Sequence, residues 1–237
     1  MAEPHGRQIR AGLARSGVAL SKTIVCWSGG KDSAWTLREL QAAGETIAAL
    51  LTTINETNGR VSIHGIRREL LEAQAEAVNI PLWTVPLPSP CANADYEERM
   101  AEACRRAATE GVAMVAFGDL FLQDVRAYRE RQLQGAGLKP VFPLWQRPTA
   151  ALAREMYAGG LRARITCLDL QVLGREFAGR EFDLQFLQDL PPAVDPCGEN
   201  GEFHSFVYDA PFFRRPIAVT AGDLHQAGNF LFADLLP

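Results

Sequence analysis

The chain has 237 residues, of which 47% are hydrophobic and 22% are charged, and its net charge at pH 7 is −4. This composition is that of a globular protein and excludes a wholly disordered, collagen-like or fibrous chain. A dedicated nucleic-acid binder is expected to carry excess positive charge, and this chain is acidic. We therefore predict no strong nucleic-acid binding.

The lack of a recognisable targeting signal and the pattern of cysteines both favour the cytoplasm. No apolar run reaches about 18 residues, which is the length a membrane-spanning helix needs. The N-terminus also lacks the apolar centre of a secretory signal. The five cysteines are scattered without a C-x-x-C pair, which predicts neither a zinc ribbon nor a thioredoxin-type motif. We therefore expect a cytoplasmic protein that binds no membrane, with residues 1–20 as a flexible leader.

Apolar strands and amphipathic helices alternate through the first half of the chain. The predicted strands are Thr23–Trp27, Thr46–Thr53, Pro81–Leu87 and Val112–Phe117. The predicted helices are Asp32–Ala43, ended by Gly44, then Ile63–Val78, Asp95–Glu110 and Arg126–Gln134. This alternation predicts an α/β fold with an open parallel sheet and right-handed crossovers.

The composition shifts to Gly and Pro over residues 135–148, and we expect a boundary there. Beyond it, the predicted helices are Thr149–Ala158 and Phe182–Leu190, and the predicted strands are Ala163–Asp169, Phe203–Tyr208 and Ile217–Thr220. We therefore predict a core over residues 21–140 and a small α+β C-terminal region over residues 141–237 that contributes to the substrate site.

The strongest local signal is the loop Ser28-Gly29-Gly30-Lys31-Asp32-Ser33, between a strand and a helix. Two glycines let the backbone turn tightly and bring its N–H groups against an anion. The following helix adds free N–H groups and a positive dipole end. The two serine hydroxyls and the Lys31 ammonium suit a phosphate, and Asp32 suggests either a bridging Mg²⁺ or helix capping. A helix-capping turn without a ligand is the alternative.

This loop is neither a Walker-type P-loop nor a G-x-G-x-x-G loop. It resembles the pyrophosphate-binding loop of the N-type ATP pyrophosphatases, the PP-loop superfamily. The resemblance implies an open parallel sheet of about five strands with helices on both faces, Rossmann-like and similar to the adenine nucleotide alpha hydrolases. It also implies ATP and Mg²⁺ as cofactors, cleavage of ATP between its α- and β-phosphates, and β- and γ-phosphates held by residues 28–33.

Three later segments narrow the family. Residues 118–130, GDLFLQDVRAYRE, resemble the G-D-I-F-L-E-D-L-R-x-Y-R-E stretch of the diphthine–ammonia ligase family. Residues 179–183, GREFD, and residues 195–204, DPCGENGEFH, are similar to other segments of that family. The resemblance runs from about Lys22 to Phe213. It implies a ligase that adenylates a substrate carboxylate, releases pyrophosphate and then amidates the acyl group with ammonia.

Several candidate site residues lie at the carboxyl ends of strands, where open α/β sheets bind ligands. Gly118 and Asp119 follow the fourth predicted strand, and glycine there allows a nucleotide to approach. Asp32 and Asp119 are the candidates for Mg²⁺, and Asp119 could instead orient a substrate amine. A strand-ending turn at Gly118-Asp119 is the alternative. Thr52 and Thr53 end the second strand, where they would meet the adenine.

The segment 195–204 places four polar side chains within six residues. These are Glu199, Asn200, Glu202 and His204. They could bind ammonia or the activated acyl group, with His204 as the best candidate for a general base, or they could form a solvated turn.

The remaining polar candidates are single residues. The resemblance places His64 in the nucleotide pocket, and a surface histidine is the alternative. Arg180 would meet a phosphate or a substrate carboxylate. Cys197 is interpreted as a small buried or bystander residue, and a reactive thiol of the kind that sulfur-transfer members of the superfamily use is the alternative. Tyr96, Glu97, Glu98, Arg126 and Arg129 are interpreted as a solvated helix face.

The expected partners follow from this chemistry. They are ATP, ammonia or an amine donor, and a carboxylate-bearing acceptor that is a protein side chain or a small molecule, and a homodimer is left open. The family's own acceptor is diphthine on elongation factor 2. Two alternatives remain: a tRNA-modifying PP-loop enzyme of the thiolase or lysidine type, and a non-catalytic adenine-nucleotide-binding module. Enzymes of the tRNA-modifying kind usually have a basic surface or paired cysteines, whereas this chain is acidic and has no C-x-x-C pair.

Overall fold

A computed structural model describes residues 21–61 and 64–237. The expected leader at residues 1–20 lies outside these ranges. Five parallel strands form the first sheet in the order β3-β2-β1-β4-β5. The strands are β1 (Lys22–Cys26), β2 (Thr46–Asn55), β3 (Leu82–Leu87), β4 (Val112–Ala116) and β5 (Lys139–Val141). The predicted open parallel sheet is confirmed.

Helices cover both faces of this sheet, because successive strand residues point to opposite sides. The helices are α1 (Lys31–Ala42), α2 (Arg68–Val78), α3 (Asn93–Thr109) and α4 (Gln123–Gln134). Val25 and Leu50 share an apolar cluster with α1 and α2. Ile24 and Ala49 belong to a second cluster with α3 and α4. The fold is therefore a doubly wound α/β sheet.

The C-terminal region forms a second, antiparallel sheet in the order β7-β6-β9-β8. Its elements are α5 (Thr149–Ala158), β6 (Arg162–Asp169), a 3₁₀ turn (Arg175–Phe177), α6 (Leu184–Asp189), β7 (Phe203–Asp209), β8 (Thr220–Ala227) and β9 (Phe230–Leu236). Phe203 and Phe206 of β7 belong to the same apolar cluster as Leu37 of α1. The two sheets therefore share one core.

The second predicted helix was wrong at its start, because α2 begins at Arg68 and not at Ile63. Gly65 has a φ of +68°, a left-handed conformation that interrupts a right-handed helix. Isolated antiparallel bridges join Ile54 to Val61 and Arg60 to Arg67 instead. His64 consequently lies in a turn that precedes the helix.

Three strands were missed or misplaced. The short β5 lies inside the stretch that was interpreted as a boundary. The strand predicted at Ile217–Thr220 was wrong over Ile217–Val219, and β8 begins only at Thr220. The strand β9 was not predicted, although Gly228-Asn229 before it is a typical two-residue hairpin turn. Polar composition hid this hairpin, since nearly all of β8 is exposed.

No helix in the described ranges is both long enough and apolar enough to span a bilayer.

An ion-pair cluster ties β9 to the segment between β2 and α2. The Asp234 carboxylate accepts hydrogen bonds from Arg60 Nη1 at 2.7 Å and from Arg67 Nη2 at 2.5 Å. Burial opposes the charge on Asp234, but the hydrogen bonds from the two arginines outweigh it and lower the pKa of Asp234 to about 2. Asp234 therefore joins the two regions of the chain as a carboxylate at neutral pH.

We expect Asp234→Asn to reduce the free energy of unfolding at pH 7 by about 1–2 kcal/mol, since two guanidinium groups lose their anionic partner. Urea denaturation measures this loss. Arg215→Gln is the matched control, because the pair of Arg215 with Glu76 is 72% and 69% exposed and such pairs contribute less than about 1 kcal/mol. Equal effects of the two substitutions would contradict this role of Asp234.

Candidate active site

A cavity of about 540 Å³ opens at the carboxyl ends of β1 and β4. The chain runs outward from β1 through β2 to β3 on one side and from β4 to β5 on the other, so the strand order reverses between β1 and β4. Ligands of open α/β sheets bind at such a switch point. Residues of the loop 28–33, of α3, α4 and β7, and of segment 198–199 line the cavity.

The loop 28–33 is held in place by β7 and α2 through the carbonyl of Gly29. This carbonyl accepts the backbone N–H of Val207 on β7 at 2.9 Å and Gln74 Nε2 on α2 at 2.9 Å. Gly29 has a φ of +81°, and a Cβ here would lie 2.7 Å from Leu71 Cδ2. Glycine is therefore required, and Gly29 lies beneath the cavity and not in its wall.

Gln74 was missed by the sequence analysis. Its side chain is completely buried. Besides Gly29, Nε2 donates to the Val207 carbonyl at 2.6 Å, and Oε1 accepts Trp27 Nε1–H at 2.8 Å. The signal in the sequence is a polar residue on the face of α2 that Leu70 and Leu71 share. Gln74 thus joins α2 to Trp27 at the end of β1, to the loop and to β7.

The hydroxyl groups around the start of α1 are linked to one another. Ser28 Oγ lies 3.3 Å from Ser33 Oγ, and Ser33 Oγ donates to the Gly30 carbonyl at 2.9 Å. The backbone N–H of Lys31 donates to Ser205 Oγ on β7 at 3.2 Å. Because the N-terminus of α1 opens on the cavity, its dipole favours an anion there.

The Lys31 side chain runs into the protein and is only 2% exposed. Its ammonium donates to Asp32 Oδ2 at 2.8 Å and to the carbonyl of Cys197, and lies 5.2 Å from the centre of the Phe203 ring. Burial alone favours the neutral amine, but the Asp32 carboxylate outweighs it and raises the pKa of Lys31. A direct contact of Lys31 with β- and γ-phosphates therefore stays a prediction.

Asp32 and Asp119 both line the cavity. Asp32 Oδ1 is buried and has no hydrogen-bond partner among the described residues. Burial raises the pKa of Asp119 against the opposing effect of Arg129. No three His, Cys, Asp or Glu side chains of residues 21–61 and 64–237 cluster to hold a metal alone. Mg²⁺ is usually held by one or two carboxylates together with phosphate oxygens and water, and these two carboxylates are donors of that kind.

The residues predicted for the nucleotide pocket line the cavity. They are Thr52, Thr53, His64 and Gly118. Thr52 Oγ1 is buried without a hydrogen-bond partner in the described part of the chain. A Cβ on Gly118 would lie 3.0 Å from the backbone carbon of Asp32. The glycine thus lets the end of β4 approach the start of α1.

Besides Gly29, three predicted residues do not line the cavity: Arg180, Asn200 and Glu202. Glu202 accepts the backbone N–H groups of Asp195 and Asn200 at 2.9 and 3.0 Å, so it organises segment 195–202. Asn200 Nδ2 donates to Glu202 as well. Arg180 pairs with Asp189 at 2.6 Å. These contacts support structural roles for all three.

Glu199 and His204 do line the cavity. Glu199 Oε1 accepts the N–H of Leu120 at 2.7 Å, and burial raises the pKa of Glu199 to about 7. The His204 ring lies 4.3 Å from that of His64. Burial, with the nearby charges of His64 and Lys31, holds the pKa of His204 well below its usual range. Near neutral pH, His204 is therefore uncharged and Glu199 is poised between its two forms.

Two other features concern residues that the sequence analysis set aside. Cys197 is buried, and burial raises the pKa of its thiol, which agrees with an inert bystander. Tyr96 and Arg129, interpreted as a solvated face, instead line the cavity. The charged neighbours of both residues in the sequence favoured a solvated face.

Two family matches cover most of the chain. The diphthamide synthase N-terminal domain matches residues 21–140, and the diphthamide synthase C-terminal domain matches residues 148–231. The chain is 28% identical over 222 residues to a diphthine–ammonia ligase of Danio rerio, covering 82% of this chain and 84% of the relative. It is 27% identical to the diphthine–ammonia ligase of Homo sapiens, covering 86% and 85%.

One solved structure is similar over part of the chain. It is a U34-tRNA thiolase from Methanococcus maripaludis, 19% identical, with a TM-score of 0.37 and coverage of 65% of this chain and 63% of that one. A likeness this distant has no bearing on function.

We expect Gly29→Ala to weaken ATP binding at least about tenfold, since a Cβ displaces Leu71 or Gln74 and the loop moves by several tenths of an ångström. Isothermal titration calorimetry with ATP measures the effect. Gly44→Ala is the matched control, because Gly44 has a φ of +79° but faces open space. The Gly44→Ala variant should lose stability and keep its affinity for ATP. Unchanged ATP affinity in folded Gly29→Ala would contradict the role of this loop.

The raised pKa of Glu199 predicts a pH-dependent stability. Between its usual pKa, 4.5, and about 7, the folded protein retains a proton that the unfolded chain releases. The contribution of Glu199 therefore falls as the pH rises through this window. Urea denaturation at pH 5, 6, 7 and 8 should show wild type losing stability relative to Glu199→Gln. A constant difference would exclude the raised pKa.

Proposed function

The chain belongs to the diphthamide synthase family, and on that premise we propose that it is an ATP-dependent ligase that joins ammonia to a substrate carboxylate. The relatives named diphthine–ammonia ligase support this reaction class. The observation that carries the proposal is the loop 28–33 at the strand-order reversal, with the unpartnered oxygen of Asp32 in the same cavity.

The first step is adenylation. A carboxylate oxygen of the acceptor attacks the α-phosphorus of ATP, and the bond from that phosphorus to the oxygen bridging to the β-phosphate breaks. Pyrophosphate leaves with the bonding electrons, and an acyl-adenylate forms. The N-terminus of α1 and the hydroxyls of Ser28 and Ser33 would stabilise the charge that develops on pyrophosphate.

Magnesium is part of the same proposal. Mg²⁺, when bound, neutralises charge on the phosphate oxygens and favours departure of pyrophosphate. Asp32 and Asp119 would hold it. Lys31 would position the Asp32 carboxylate through their 2.8 Å contact.

The second step is amidation. The nitrogen of ammonia attacks the acyl carbon, the bond from that carbon to the AMP oxygen breaks, and one proton is lost from nitrogen. Glu199 would accept this proton, since a pKa of about 7 suits a base at neutral pH. His204 is uncharged near neutrality and would offer a ring nitrogen as a second acceptor.

The acceptor, the location and the assembly remain proposals. The named relatives act on diphthine, and we propose for this chain a carboxylate-bearing acceptor that is a protein side chain or a small molecule. A cytoplasmic location and a homodimer complete the proposal, and light scattering after size-exclusion chromatography would test the dimer.

Phosphorus NMR of ATP with Mg²⁺, ammonium and a cell extract that supplies acceptors tests the reaction. We expect AMP and pyrophosphate, and Asp32→Asn should lower their rate about 100-fold or more, because a metal-binding charge is lost. Asp119→Asn is a second variant in case Asp32→Asn is misfolded, and the exposed Asp223→Asn is the control. Formation of ADP and phosphate would remove the ligase assignment.

A further inference from the structure

The side chain of Asp195 closes a tight turn just before the residues that enter the cavity. Its Oδ2 accepts the backbone N–H of Cys197 at 3.1 Å and the backbone N–H of Glu199 at 3.0 Å. The carbonyl of Asp195 accepts the backbone N–H of Gly198 at 2.8 Å. Aspartate side chains that bind backbone N–H groups further along the chain fix turns of this kind. One carboxylate oxygen therefore holds the backbone of residues 197–199.

The backbone of Asp195 is itself fixed by its neighbours. Its N–H donates to Glu202 Oε1 at 2.9 Å. Pro196 follows directly in the chain, and a proline restricts the residue before it to extended conformations. The carboxylate of Asp195 therefore extends from a backbone of defined position.

Glu199, at the far end of the turn, contacts a rigid part of the parallel sheet. Its Oε1 accepts the backbone N–H of Leu120 at 2.7 Å and that of Phe121 at 3.3 Å. Leu120 is completely buried, and its carbonyl accepts the backbone N–H of Gln146 at 2.7 Å. Since Leu120 is fixed, the contact forms only where the turn places the backbone of Glu199.

The surroundings of Glu199 oppose this placement. Burial and the nearby carboxylates of Asp32 and Asp119 disfavour a negative charge there and raise the pKa of Glu199 to about 7. A carboxylate that is free to turn avoids such a cost by reaching water. Glu199 therefore needs an anchor on its backbone, and the turn at Asp195 provides one.

We propose that Asp195 is a positioning residue for the amidation step. Its carboxylate fixes the backbone of residues 197–199 and thereby holds Glu199 where it accepts the proton that the attacking nitrogen loses. This inference rests on the proposed function, in which Glu199 is that acceptor.

Amide hydrogen exchange measured by NMR tests the geometry without an acceptor substrate. In Asp195→Ala, the Leu120 amide should exchange at least about tenfold faster than in wild type, because Glu199 no longer stays against it. The amides of β1 should keep their protection, since the effect is local. A variant that is merely less stable would exchange faster at both places.

Two conservative variants separate the position of the oxygen from its charge. In Asp195→Asn, an amide oxygen can take the place of Oδ2 and accept both N–H groups, so the protection of Leu120 should be retained. In Asp195→Glu, the charge remains, but the extra methylene displaces the oxygen, and the protection should fall. Asp195→Glu also replaces Asp195→Ala in every comparison if the alanine variant is misfolded.

A double-mutant comparison tests whether Asp195 acts through Glu199. The rate of AMP and pyrophosphate formation is measured with Mg²⁺, ammonium, saturating ATP and the cell extract. Asp195→Ala and Glu199→Gln should each lower it about tenfold or more, and the double variant should be no slower than Glu199→Gln alone. ATP affinity measured by calorimetry should be unchanged in Asp195→Ala, because loop 28–33 is held through the Gly29 carbonyl.

Asn55→Ala is the matched control. Asn55 Oδ1 likewise accepts two backbone N–H groups, those of Thr57 at 2.8 Å and Asn58 at 3.3 Å. These three residues do not line the cavity. Asn55→Ala should therefore leave both the Leu120 protection and the rate unchanged.

The outcomes distinguish the two proposals. If wild type forms no AMP and pyrophosphate with the extract, the proposed function fails. If wild type forms them, unchanged Leu120 protection in Asp195→Ala overturns the role of Asp195 alone. An Asp195→Asn protein as impaired as Asp195→Ala, or a double variant slowed by both single effects, overturns it too. A loss of ATP affinity at an unchanged rate would assign the turn to nucleotide binding and contradict the inference as well.

Discussion

The buried side chain of Gln74 is the constraint on which the site depends. One amide group contacts the Gly29 carbonyl, the Val207 carbonyl and the Trp27 indole. A buried amide without partners is costly, so these contacts hold together or are lost together. They lock the loop at the end of β1 against the outer edge of β7. The position of the loop 28–33 is thereby tied to the C-terminal sheet.

The C-terminal region completes the site by supplying groups that the parallel sheet lacks. The Cys197 carbonyl receives the Lys31 ammonium, and Glu199 caps the backbone after β4. Glu202 holds segment 195–202 in the shape that makes both contacts possible. The charges of the cavity are thus arranged by two regions that are far apart in sequence, and neither region alone contains the whole arrangement.

Much of the fold and part of the site could be predicted because the signals are local. Strands β1 to β4 and helices α1, α3 and α5 lie within a few residues of their predicted positions. The loop 28–33 carries its own chemistry in consecutive residues. By contrast, β5 has only three residues, one of them Pro140, and β8 is polar and exposed. The strand β5 is too short to show a periodic pattern, and β8 has too little contrast between apolar and polar positions.

The sequence by itself determined the doubly wound sheet, the glycine-containing loop 28–33 between β1 and α1, and the likeness to one ligase family, since each depends on neighbouring residues. Only the tertiary structure decided which polar side chains reach the cavity. It placed Tyr96 and Arg129 in the wall, paired the Lys31 ammonium with Asp32, and left Glu202 to organise a loop. The reason is physical: whether a charged side chain is solvated or buried depends on what packs over it, and those partners come from distant parts of the chain.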